Sequence, residues 1–157
     1  MQEYNKAMWI EHKYKRHNVS CLLYHFVCPI KNRRKVLKNE KRENDLKEIC
    51  KKIEENYEIY FLEVWSDLDH VHFLIQGVPD MKVSNIITII KILSWKEMFL
   101  RNPELRNELM WWKFWTSWYY VNTVWMYWSE KTIREYVKKQ WKEKEYKKIF
   151  ECQLKIF

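Results

Sequence analysis

The order in which hydrophobic periodicities follow one another limits this chain to few topologies. Side chains alternate across a strand and recur about every 3.6 residues along a helix, so the two elements mark a sequence differently. "SCLLYHFVCPI" (20–30) is aromatic and β-prone and ends at Pro29, which predicts a first strand. The charged segment after it carries Leu46, Ile49, Cys50, Ile53 and Tyr57 at helical spacing. "YEIYFLEVW" (57–65) and "HVHFLIQG" (70–77) predict two further strands, with "SDLD" as the turn between them. Val83, Ile86, Ile87, Ile90, Leu93 and Met98 approximate a second helical stripe between Lys82 and Leu100. "YYVNTV" (119–124) predicts a fourth strand, and Ser129 offers an N-cap to a third helix through "EKTIREYVKKQ". The order β-α-β-β-α-β followed by a helix predicts an α+β, ferredoxin-like (split βαβ) fold, an antiparallel sheet with helices on one face.

No repeat or low-complexity linker divides the 157 residues. One domain over 1–157 is expected, with a core of about 18–141 and a basic helical tail over 142–157. Lys and Arg outnumber Asp and Glu by 29 to 21, the balance of a partner for phosphate backbones. The first twenty residues are charged throughout, and no run reaches the roughly 18 apolar residues of a membrane span. A cytoplasmic protein without a membrane partner is expected. Cys21, Cys28, Cys50 and Cys152 show neither C-x-x-C spacing nor a disulfide framework and read as buried thiols.

The chemistry begins at "DLDHVHFLIQG". On a strand His70, His72, Leu74 and Gln76 share one face, and the two histidine Cα atoms lie about 6.5 to 7 Å apart. Both imidazoles can then converge on one ion. The competing reading is a pair of half-exposed strand histidines with no role. A third ligand would decide between them, and the last helix offers one: Tyr136 and Gln140 stand one turn apart on the same side. Taken singly, Tyr136 reads equally as a core tyrosine and Gln140 as a solvated amide. Two histidines and an amide oxygen form an open, partly hard site suited to Mg²⁺ or Mn²⁺, whereas structural zinc would call for cysteines that are not placed for it. Beside the first strand, "KNRRKVLKNEKR" gathers Lys31, Arg33, Arg34, Lys35, Lys38, Lys41 and Arg42, which reads either as a phosphate-binding run or as a solvated charged face.

From "NVSCLLYHFVCPIKNRRKVL" through "DHVHFLIQ" and "FWTSWYYVNTV" to "TIREYVKKQ", the chain resembles the single-tyrosine HUH transposases of the insertion-sequence 200/605 type. That family shares a fold with rolling-circle replication initiators and relaxases. The resemblance implies that His70, His72 and Gln140 hold a divalent ion and that Tyr136, on a C-terminal catalytic helix, is the nucleophile. It implies cleavage and rejoining of single-stranded DNA through a 5′-phosphotyrosine, with Lys31, Arg33, Arg34 and Lys35 on the DNA. It also implies hairpin ends as the substrate and a homodimer whose sites are shared between subunits. Tyr119 and Tyr120 are rival nucleophiles but lack a following ligand at i+4. Two alternatives remain: a domesticated relative that processes chromosomal repeats, and a non-catalytic module that binds single-stranded or hairpin DNA.

One conflict runs through the whole sequence. Ordinary usage would give about 11 glycines, yet the chain has 1 Gly and 10 Trp. Many of the tryptophans fall where turns and helix ends favour glycine. Some bacteria read UGA as glycine where a common alternative code reads tryptophan. The expectation is therefore that the natural protein carries Gly at 65, 111, 112, 118, 125, 128 and 141, with 9 and 95 left open. Trp115, in "KFWTS", resembles a tryptophan of the family itself.

Overall fold

The computed structural model describes residues 11–109 and 112–124. The expected third helix with Tyr136 and Gln140, and the tail over 142–157, lie outside them. Strands β1 (Lys13–Lys15) and β2 (Asn18–Ser20) form a small antiparallel ribbon. β3 (Leu22–Pro29), helix α1 (Glu40–Asn56), β4 (Tyr60–Ser66), β5 (His70–Gly77), α2 (Val83–Arg101), a single helical turn α3 (Leu105–Glu108) and β6 (Tyr120–Thr123) follow. The main sheet has the order β4-β5-β3-β6 and is antiparallel throughout. With α1 and α2 as the two crossovers, this is the expected ferredoxin-like arrangement. Among the described residues no helix is long and apolar enough to cross a membrane.

Every residue of β5 is buried, so this strand is covered on both faces. Register assigns those faces: Phe26 lies opposite Phe73 and Val27 opposite His72. On one side Phe26, Cys28, Val71, Phe73 and Ile75 join Leu46, Ile49, Cys50 and Ile53 of α1 and Ile86, Ile87, Ile90 and Met98 of α2 in a single core. Each fully buried Ile or Phe contributes about 1.5 to 3 kcal/mol. The helices therefore take one face. The other face carries Leu23, His25 and Val27 of β3 beside His70, His72, Leu74 and Gln76 of β5. The chemistry is on that side.

Local interactions start and join these elements. Asn39 caps α1, its side chain accepting from the Lys41 amide at 2.9 Å, and Glu40 and Glu43 in the first turn suit the positive end of the helix dipole. Arg101 of α2 reaches Glu48 at 2.7 Å and Asp45 at 3.3 Å on α1. Lys91 of α2 donates to the carbonyls of Thr116, Ser117 and Trp118 at 2.9, 3.3 and 2.8 Å, which ties the segment before β6 to the helix. The glycine at the end of β5, Gly77, allows a close approach: a methyl there would sit 3.1 Å from Ile86 and 3.2 Å from the Tyr24 ring.

The described tryptophans fall into two kinds. Trp115 is buried, donates through Nε1 to Ser94 at 2.9 Å, and meets Phe114 and Phe73 edge-on. Trp95 packs against the core and donates to the Trp112 carbonyl at 2.7 Å. Trp112 is 62% exposed with φ of 50°, in the left-handed region that side chains with a Cβ disfavour. Trp118 is likewise exposed, though not at positive φ. Trp65 sits inside β4 opposite His72, with ring centroids 5.8 Å apart, on the predicted strand and just before the turn.

Candidate active site

The period-two alternation of β5 delivers His70 and His72 to the face opposite the helices. Both are buried, with ring centroids 5.0 Å apart and planes inclined by 60°. Each ring is held at Nδ1. His70 Nδ1 lies 2.7 Å from Asp69 Oδ1, and Asp69 Oδ2 accepts from Arg33 Nε at 2.9 Å. His72 Nδ1 lies 2.9 Å from Nε2 of His25 on β3. Nε2 is therefore the nitrogen through which each ring could ligate an ion, and a histidine whose other nitrogen is held by a hydrogen-bond partner is the usual form of a metal ligand. The donor set fits a divalent ion.

Asp67, Asp69 and His70 also bring one ligand atom each within 4.8 Å of one another, a second set that could hold a cation. Two observations favour the histidine pair. The His70–Asp69 contact is already a hydrogen bond, and the Arg33 guanidinium on the same carboxylate repels a cation placed there.

Arg33 reaches Asp69 through an unusual turn. Asn32 and Arg33 both have φ of 54°, and the turn is closed by the Arg33 amide donating to the Ile30 carbonyl at 2.9 Å. Left-handed backbone at a residue with a Cβ costs on the order of 1 kcal/mol and is kept where surrounding contacts enforce it. Past this turn, Arg33, Arg34, Lys35 and Lys38 line a cleft of about 520 Å³, closed by Asn107 and Glu108. Lys31 is on the same segment, half-buried, with its amide on the Phe114 carbonyl at 2.8 Å. The rest of the basic run divides. Arg42 turns inward, bonded to the Val36 carbonyl at 2.9 Å, to Glu108 at 2.5 Å and to Glu104 at 3.2 Å. Lys41 is engaged with Asn102 at 2.8 Å.

Sequence reading missed two residues of the site. Asp69 was visible beside the histidines within "DLDHVH". His25 carried no local signal, because only strand register brings it to His72.

Burial holds the pKa of His72 down to about 3, with His25 and His70 adding to the effect, and holds His25 down to about 4 against the opposing effect of Asn122 as a hydrogen-bond acceptor. Both rings are thus neutral in the fold. As the pH falls below about 6.5 the unfolded chain takes up protons that the fold refuses, so stability present above that pH is lost down to pH 4 and 3. Metal-free protein is expected to lose up to about 1.4 kcal/mol per pH unit for each of the two histidines. Urea unfolding at pH 7.5, 6 and 5 measures this; a flat profile would contradict neutral buried rings.

Fold and site together define an α+β, ferredoxin-like class of protein, the sheet carrying a His-x-His pair on the face away from its helices. Residues 18–140 match the family described as Transposase IS200 like. The chain is 31% identical over 136 residues to the ISDra2 transposase TnpA of Deinococcus radiodurans, covering 83% of this chain and 92% of that one. It is 31% identical over 120 residues to the transposase for insertion sequence element IS200 of Salmonella typhimurium, 76% of this chain and 77% of the relative. A solved Deinococcus radiodurans structure described as a transposase superposes with TM-score 0.66 at 26% identity, covering 82% and 97% of the two chains. The structure of a REP-associated tyrosine transposase bound to a REP hairpin shares the fold, with TM-score 0.51 at 16% identity over 80% and 67%. The chain belongs to the IS200-like transposase family.

Proposed function

We propose that this transposase cleaves and rejoins single-stranded DNA at insertion-sequence ends through a covalent 5′-phosphotyrosine on Tyr136. The observation that carries the reading is the His70–His72 pair, converging on one sheet face with both Nδ1 atoms engaged. His70, His72 and Gln140 would hold Mg²⁺ or Mn²⁺, whose charge would neutralise the non-bridging oxygens of the scissile phosphate. The Tyr136 oxygen attacks phosphorus and loses its proton to water, while the bond to the 3′-oxygen breaks and that oxygen leaves as a hydroxyl. Attack by another 3′-hydroxyl on the phosphotyrosine reverses the step, so joining needs no nucleotide cofactor.

In this reading Arg33, Arg34 and Lys35 meet DNA phosphates along the basic cleft, Lys31 meets them from the same segment, and Arg33 also steadies Asp69. The substrate is single-stranded DNA with hairpin ends, in keeping with the hairpin held by the REP-associated structure. The active form is a homodimer in which the tyrosine helix of one subunit completes the site of the other. The chain acts in the cytoplasm as one domain over 1–157, with its core at about 18–141.

The test is a denaturing gel of a labelled single-stranded oligonucleotide with a terminal hairpin, incubated with the protein and Mg²⁺ or Mn²⁺. A labelled adduct that survives denaturation is expected. Hairpin binding with no adduct under either ion would point instead to a non-catalytic DNA-binding module. Adduct formation confined to chromosomal repeat hairpins would favour a domesticated relative.

A further inference from the structure

The contact between His25 and His72 has a specific geometry. The ring planes lie within 12° of each other and the centroids are 5.2 Å apart. That separation is the 2.9 Å N···N contact extended by a ring radius of about 1.1 Å at each end. The two nitrogens therefore lie close to the line joining the centroids. The rings meet edge to edge in one plane, as a linear hydrogen bond requires, and are not stacked face to face.

An N···N hydrogen bond between neutral imidazoles holds one proton, and which ring carries it decides what the other can do. If His72 carries it on Nδ1, its Nε2 keeps a lone pair for an ion. If His25 Nε2 carries it, His72 Nδ1 is an acceptor and Nε2 becomes N–H, which cannot ligate. The next group along decides between them. Asn122 lies directly opposite His25 across the β3–β6 pairing. His25 Nδ1 and Asn122 Oδ1 are both buried, and among the described residues neither has a hydrogen-bond partner. A proton on His25 Nδ1 shared with Asn122 Oδ1 would satisfy both atoms and leave His25 Nε2 as the acceptor.

We propose that His25 is a positioning residue: with Asn122 it forms a relay across β6, β3 and β5 that fixes His72 as the Nδ1–H tautomer and aims its Nε2 at the ion. This role rests on the metal-ligand reading of His72 above. The relay runs Asn122 Oδ1, His25 Nδ1–H, His25 Nε2, His72 Nδ1–H. For His70 the same task falls to Asp69, so the two ligands are oriented by different chemistry: a carboxylate on one and a neutral ring on the other.

Ring-nitrogen NMR of the metal-free, ¹⁵N-histidine-labelled chain reads the tautomer directly, and Mn²⁺ titration reads the consequence. Wild-type His72 is expected as Nδ1–H. His25→Leu, which removes the acceptor, is expected to shift His72 toward Nε2–H and to weaken Mn²⁺ binding about 10- to 100-fold. His25→Gln keeps an acceptor oxygen and is expected to hold the tautomer and to stay within about threefold of wild type. Should His25→Leu not fold, the wild-type spectrum and His25→Gln still decide the matter. A folded His25→Leu with unchanged tautomer and Mn²⁺ affinity overturns the relay, as does a wild-type His72 protonated at Nε2 in a chain that binds Mn²⁺. A wild-type chain that binds no Mn²⁺ overturns the metal assignment and, with it, this role for His25.

Discussion

Tyr136→Phe is expected to abolish the covalent protein–DNA adduct while leaving hairpin binding within about threefold of wild type, because only the hydroxyl forms the ester and the ring is kept. His70→Ala and His72→Ala are expected to lower cleavage by at least about 100-fold through loss of the ion. Gln140→Ala should cost less and recover in excess Mn²⁺, since an amide oxygen is the weakest of the three proposed ligands. The readout is the denaturing gel, with binding followed separately by mobility shift. Adduct retained in Tyr136→Phe would move the nucleophile elsewhere, and ligand variants indifferent to Mn²⁺ would count against the metal set. Mixing the inactive Tyr136→Phe and His70→Ala chains tests subunit sharing: a heterodimer with trans sites rebuilds one intact site, and partial activity should return. Silence in mixtures shown to contain heterodimers would mean that each site is built within one subunit.

The second large effect concerns the tryptophans. A chain carrying Gly at 65, 111, 112, 118, 125, 128 and 141 is expected to fold more stably and to cleave DNA better than the chain as written, and the natural protein is expected to contain those glycines. Position 112 carries the physical case. Its φ of 50° suits glycine, and its indole is 62% exposed, so little packing is lost on removal. Among the described residues its ring meets Arg106 at 5.4 Å, worth about 0.5 kcal/mol at an exposed site. Relief of the left-handed penalty gives about 1 to 2 kcal/mol in return. Trp112→Gly should therefore raise stability by about 1 kcal/mol in urea unfolding, whereas Trp112→Ala, which keeps the Cβ, should not. Trp115 is the internal contrast: buried, hydrogen-bonded to Ser94 and wedged between Phe73 and Phe114, it is expected to tolerate neither change. Peptide mass spectrometry of the native protein identifies the residues, and UGG codons at these positions would defeat the proposal.

Strand and helix identity were legible because each long element carries its own period. The alternation in "HVHFLIQG" named a strand and put both histidines on one face before any contact was known, and the stripes over 46–53 and 83–98 named α1 and α2. The β1–β2 ribbon and α3 escaped, since elements of three or four residues are too short to show a period. The basic run was legible as charge alone. Which of its members face a cleft and which turn inward, as Arg42 does, depends on where the chain enters α1 and on the carboxylates that α3 presents.

What the sequence determined by itself, then, was the order of the elements, the ferredoxin-like topology that follows from it, and the paired histidines, all properties of neighbours along one strand or helix. The tertiary structure alone decided what holds those histidines. His25 and His72 are 47 residues apart and meet only because Val27 pairs with His72; a slip of one residue would turn His25 to the opposite face. Arg33 reaches Asp69 only through two successive left-handed residues. Both contacts are set by register and backbone dihedrals, which the packing of the whole sheet selects and which leave no periodic trace in the chain.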